Sequence, residues 1–142
     1  MNDYGLTMHL NQASDFALRI LMLLANKKDP MTVDEIAQQL LLVKSHTMKI
    51  VAKLVKAELL VSQRGRTGGV SLGKSPEHIS VGDVVRTIET DFAIVECMRD
   101  GGSTCTYLPN CKLRGVMHDA YGAFQEVLDG QSLKSIISPP AS

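Results

Sequence analysis

The chain has 142 residues, 44% of them hydrophobic and only 4% aromatic, with 15 Lys+Arg balanced by 15 Asp+Glu. That length fits one domain, or one domain with an appendage, and an aliphatic, aromatic-poor core favours helices over a β-sandwich. The longest purely apolar run in the first helix candidate, 20–25, is far too short to cross a membrane, and no cleavable apolar segment follows a basic one, so we expect neither a spanning segment nor a signal peptide, and a reducing cytoplasm as the compartment.

Residues 1–7, "MNDYGLT", show no period and are expected to be a flexible leader. From Phe16 the apolar residues recur at Ile20, Leu23 and Leu24, with Ala17 and Leu21 widening the stripe, which predicts a first helix closed by "NKKDP". "TVDE" then reads as a capping box, with Thr32 as N-cap and Glu35 reaching back, opening a short helix to about Leu40. After a tight turn at 42–44, Ser45 is the expected N-cap of a third helix. Met48, Val51, Ala52, Val55 and Leu59 are expected on its core face. On the opposite face His46, Lys49, Lys53 and Lys56 recur at helical spacing as a basic stripe.

Two short strands follow, "LVSQR" (60–64) and "VSLGK" (70–74), joined by "GRTGG", whose Gly65, Gly68 and Gly69 permit a hairpin with a basic tip. Helix, tight turn, helix and hairpin is the order of a winged helix-turn-helix, assigned here to residues 8–79. Residues 80–142 hold a helix "VGDVVRTIE" started by Ser80 with Asp83 three residues on, and the cysteine segment 97–111. A long helix follows from Lys112 to Asp129, stopped by Gly130, and then a short amphipathic turn, "SLKSII". The long helix carries an apolar stripe of Leu113, Val116, Ala120, Phe124 and Val127. The fold class is therefore mainly α.

The balanced charge conceals a split: residues 41–74 carry 7 Lys+Arg and only Glu58 against them. A local excess of this kind, on a helix that can enter a groove, is what binding to double-stranded DNA requires. Ser45 begins the reading helix. His46, Thr47 and Lys49 near its start suit base edges, Lys53 and Lys56 the phosphate backbone, and Arg64 and Arg66 at the hairpin tip the minor groove or flanking phosphates. Singly, each lysine is an ordinary solvated side chain; together with the capped helix pair and the glycine hairpin they form a footprint.

All three cysteines, Cys97, Cys105 and Cys111, fall in one turn-rich segment with spacing C-x7-C-x5-C. The knuckle of a structural zinc site and the run of a ferredoxin are both absent. An iron–sulfur cluster with a non-cysteine fourth ligand, a disulfide plus one thiol, and three unrelated surface cysteines all remain open on spacing alone. His118, seven residues after Cys111, is a conceivable ligand, but a solvent-facing helix histidine is the simpler reading.

"SDFALRILMLLA", "RGRTGGVSL", "ISVGDVVRTIE" and "EC…C…C" together resemble the NsrR/RirA/IscR family of winged-helix iron–sulfur repressors, over about residues 8–137. The resemblance implies a homodimer on a pseudo-palindromic operator and a cluster, expected as 4Fe-4S, held by Cys97, Cys105 and Cys111. It also makes "GRTGG", with Gly68 and Gly69, the wing, and the helix from Lys112 the dimerisation helix. Where IscR-like members place a histidine three residues after the third cysteine, this chain has Arg114. Asp15 stands where NsrR-like members carry an aspartate that ligates the cluster of the other subunit, and where RirA-like members tend to have asparagine; Asp15 is also i, i+4 from Arg19 and suits a plain surface pair. NsrR-like behaviour implies release of repression by nitric oxide. An iron-responsive RirA-like repressor and a metal-free thiol-switch regulator are the alternatives. An iron–sulfur carrier would not need the basic helix and wing, and no nucleophile–base pair or paired carboxylates suggest an enzyme.

Overall fold

In the computed structural model, residues 11–65, 68–89, 92–93, 95–98 and 104–138 are described. The expected leader over 1–7 and the wing-tip Arg66 lie outside them. The elements run α1 (Gln12–Ala25), α2 (Val33–Leu40), α3 (Lys44–Lys56), β1 (Leu60–Gln63), β2 (Gly69–Leu72), α4 (Val81–Ile88), α5 (Lys112–Asp129) and α6 (Leu133–Ile136). This is the mainly helical winged helix-turn-helix expected from the sequence.

α1 begins four residues earlier than Phe16. Asn11 is its N-cap, its side-chain oxygen accepting the Ala13 N–H at 2.8 Å, so Asp15 sits in the first turn, where a helix favours negative charge. The capping box of α2 forms as read: Thr32 Oγ1 accepts from the Glu35 N–H at 3.2 Å and a Glu35 carboxylate oxygen accepts from the Thr32 N–H at 3.0 Å. α2 ends in Leu41, whose backbone is left-handed at φ 56° and ψ 44°. α3 departs from the reading. Its N-cap is Val43, which has no hydrogen-bonding side chain, and Ser45 lies inside the first turn. Its buried row is Thr47, Ile50, Val51 and Leu54, so Met48 and Ala52 are exposed and Val55 only half-buried.

β1 and β2 pair antiparallel with Leu60 opposite Leu72 and Gln63 opposite Gly69, and Met31 adds a bridge to Val70 on the far side of β2. That bridge (Met31 N–H to Val70 O 3.0 Å, Val70 N–H to Met31 O 2.7 Å) staples the entry to α2 onto the wing. Gly69 permits it. Its φ is +141°, and a Cβ there would collide with the Met31 carbonyl. Gly69→Ala is therefore expected to destabilise the protein by about 1–3 kcal/mol, read as a lowered thermal midpoint; an unchanged midpoint would mean the wing is not anchored this way.

One hydrophobic core joins α1, α2, α3 and the wing (Ile20, Leu21, Ile36, Leu54, Leu60, Val70) to α4 and α6 (Val84, Ile88, Leu133), so it spans the expected boundary at 79/80. The C-terminal segment returns to that core through hydrogen bonds from the Val81 N–H to Gln131 O (2.9 Å) and from the Leu133 N–H to Ile79 O (2.7 Å). α5 packs chiefly on α4 and buries only Gln125. Arg86 makes that joint, donating to Gln125 Oε1, Asp83 Oδ1 and Asp129 Oδ1, each at 2.7 Å. The Asp129 and Asp83 hydrogen bonds raise the Arg86 pKa above its ordinary value.

Candidate nucleic-acid interface and cysteine segment

α3 presents its outward face as a row of basic side chains because its inward face is fixed by Ile50, Val51 and Leu54. His46, Lys49, Lys53 and Lys56 are all exposed, and among the described residues none forms an ion pair. Lys44 is engaged with Asp34 of α2 at 2.9 Å. Thr47, expected at a base edge, is fully buried and its hydroxyl donates to the Val43 carbonyl at 3.0 Å, so it supports the helix start instead. Ser45 is exposed in the first turn. With no side-chain cap at Val43, the first-turn N–H groups of α3 are left for water or a phosphate oxygen.

The wing turn carries an exposed Arg64. Gly65 and Gly69 have the positive φ that the tight connection needs; Gly68 does not, and its N–H donates to Gly65 O at 2.9 Å. Between α1 and α3 lies a groove of about 260 Å³ lined by Asn11, Gln12, Ala13, Phe16, His46, Lys49, Ile50 and Lys53. The basic face thus shares a wall with the first turn of α1.

That first turn is held by Glu89, the residue that ends α4. One Glu89 carboxylate oxygen accepts the Asn11 N–H at 2.6 Å and the Ser14 hydroxyl at 2.7 Å, and Ser14 is fully buried. These contacts join positions more than 70 apart in sequence, and no local signal foretold them. Asp15 takes the simpler of its two expected places: Arg19 donates to it through two nitrogens, at 3.1 and 2.7 Å, while its guanidinium lies 5.7 Å from the Phe16 ring centre.

No disulfide links Cys97, Cys105 and Cys111. Cys97 and Cys111 are half-buried and Cys105 is exposed; Cys97 lies on a short 3-10 turn and Cys111 is the N-cap residue of α5. Three cysteine sulfurs outside the hydrophobic core are of the donor type that an iron–sulfur cluster takes, and a helix N-terminus favours the negative charge such a ligand set carries. Among the described residues, no three or more His, Cys, Asp or Glu side chains gather closely enough to hold a metal ion. His118 is exposed on α5. On the same helix Leu113, Val116, Phe124 and Val127 remain exposed, so among the described residues nothing covers the amphipathic stripe read from the sequence. Among the described residues, no helix is long and apolar enough to cross a membrane.

The chain matches the Rrf2 family, described as "Iron-dependent Transcriptional regulator", over residues 10–139. It is 38% identical over 132 residues to the HTH-type transcriptional regulator NsrR of Bacillus licheniformis, covering 92% of each chain. Among solved structures it resembles CymR, the global cysteine regulator of B. subtilis, at 27% identity with a TM-score of 0.75, covering 92% of this chain and 96% of that one. IscR of T. potens shares the fold at 24% identity and a TM-score of 0.72, covering 92% and 86%. NsrR and CymR are named for regulation and not for catalysis. The wing, the basic second helix of the pair and the match over residues 10–139 agree: the chain belongs to the Rrf2 family of transcriptional regulators, and it is not an enzyme.

Proposed function

We propose that this protein is a dimeric repressor that reads operator DNA with α3 and the wing, and that an iron–sulfur cluster on Cys97, Cys105 and Cys111 governs that reading. The observation that carries the DNA reading is the exposed row His46, Lys49, Lys53 and Lys56 on the second helix of a helix-turn-helix, with no ion pair among the described residues. The bare apolar stripe on α5 supports a homodimer, because a second copy of the same stripe would cover it. Dimer symmetry then sets two α3 helices about 34 Å apart, one DNA turn.

The thiols supply the ligands, and Asp15 is the proposed fourth, reached from the other subunit once it leaves Arg19. Held by these thiolates and the Asp15 carboxylate, a bound cluster would supply iron chemistry with which nitric oxide could react. What the chain itself contributes is the link from the cysteine segment to the reading helix. Glu89 ends α4 eight residues before Cys97 and grips the first turn of α1, which walls the groove beside His46, Lys49 and Lys53. Loosening the segment loosens that grip and lets the two reading helices leave their common register. Both must fit successive major grooves at once, so a small shift releases the DNA and opens the repressed genes, proposed to be those answering nitric oxide.

Two measurements test this. Protein prepared without air is expected to contain iron and sulfide in equal amounts. Asp15→Ala is expected to keep the iron yet react with nitric oxide at a different rate; identical kinetics would assign Asp15 to its pair with Arg19 alone. A second reading, a metal-free thiol switch, draws support from the likeness to CymR and from thiols that do not converge among the described residues. Iron-free protein whose operator affinity changes only on oxidation would establish that reading in place of the first.

A further inference from the structure

The start of α3 carries an apolar patch that neither the core nor the basic row uses. Leu41 is 91% exposed, Val43 61% and Met48 52%, and all three lie at the turn or in the first five residues of the helix. None packs in the core, and Leu41 stands in a left-handed backbone where asparagine or glycine would fit without strain. Bare leucine, valine and methionine at a tight turn lose favourable burial, so they suit a surface that is covered in the working state.

What covers them is indicated by what surrounds them. His46 and Lys49 are exposed on the same helix start, and Lys53 and Lys56 continue the cationic face. Exposed apolar side chains on the same helix start as basic ones fit an anionic surface that carries methyl groups. In the major groove that is thymine, whose 5-methyl is the one apolar group on a base edge there. Resting on the proposed DNA reading, we infer that Leu41, Val43 and Met48 read thymine methyl groups in the operator, so that part of the sequence specificity comes from apolar contact and not from hydrogen bonds.

Replacing thymine by uracil removes only that methyl, which makes the test direct. A duplex is enriched from a random-sequence pool with the full chain purified without air, then prepared again with uracil at every thymine. Wild-type protein is expected to bind the uracil duplex about fourfold more weakly for each methyl lost, or about fifteenfold for one contact in each of two half-sites. The variant Leu41→Asn, Val43→Thr, Met48→Gln changes exposed positions only, so its thermal midpoint reports that it folds, and it is expected to lose the thymine preference. Equal affinity of wild type for the two duplexes overturns the inference and points to a protein partner for the patch, as does a folded variant that still prefers thymine. If no duplex is enriched at all, the DNA reading itself fails and the inference with it.

Discussion

Replacing Lys49, Lys53 and Lys56 together by alanine is expected to lower affinity for duplex DNA by about a thousandfold near 0.15 M salt. Each lysine that meets a phosphate releases a condensed counterion, and affinity then falls with salt at a slope of about 0.9 per contact. Three contacts on each protomer make six on a dimer, so the variant should also flatten the slope of log affinity against log salt by about 5. The fold should not suffer, because these side chains are exposed and have no ion pair to lose among the described residues. Fluorescence anisotropy with a labelled duplex over a range of salt reads both quantities. A variant that binds as wild type does, with the same slope, would remove α3 from the interface and leave its basic row as a solvated surface.

Replacing Cys97, Cys105 and Cys111 by alanine should have an effect of a different kind. Iron should be lost, and operator affinity should fall by about 5- to 150-fold, the usual span of coupling between two sites in one protein. None of the three belongs to the hydrophobic core, so the thermal midpoint of the shared core should change little. Weak binding to unrelated DNA should survive, since the lysines remain. This pattern separates loss of control from loss of the protein. A triple variant that keeps full operator affinity and still responds to nitric oxide would leave the cysteines without a part.

The elements that sequence reasoning placed well are those with local signals. The capping box at Thr32 and Glu35, the Ser80 cap and the full extent of α5 from Lys112 to Asp129 with Gly130 after it were each legible within a few residues. Errors arose where polar residues turned inward or apolar ones outward. Ser14 and Thr47 are buried because a Glu89 carboxylate and the Val43 carbonyl satisfy their hydroxyls; Thr47 therefore faces the core and not a base edge, and α3 is capped by Val43 and not by Ser45. Met48 was assigned to the core although Ile50 and Leu54 fill it.

The run Leu40 to Val43 held a usable sign. Four consecutive apolar residues at a tight turn cannot all point inward, and Leu41 and Val43 are the two left out. Contacts between distant positions were not legible. The Met31–Val70 bridge and the hold of Glu89 on Asn11 depend on the finished fold, and periodicity carries nothing about them. For the cysteines, residue type and spacing leave a cluster, a disulfide and three unrelated thiols open; only the family resemblance implies a ligand set, and convergence of the thiols depends on how the segment closes.

The proposed control, a cluster at the cysteine segment setting the affinity of α3 for DNA, is tested most directly by one titration. Nitric oxide is added stepwise, without air, to iron-loaded protein on its operator duplex, with cluster absorbance and DNA anisotropy followed in the same cuvette. Release of the duplex in step with the loss of cluster absorbance is the predicted result. Duplex that stays bound after the absorbance has gone would contradict the account.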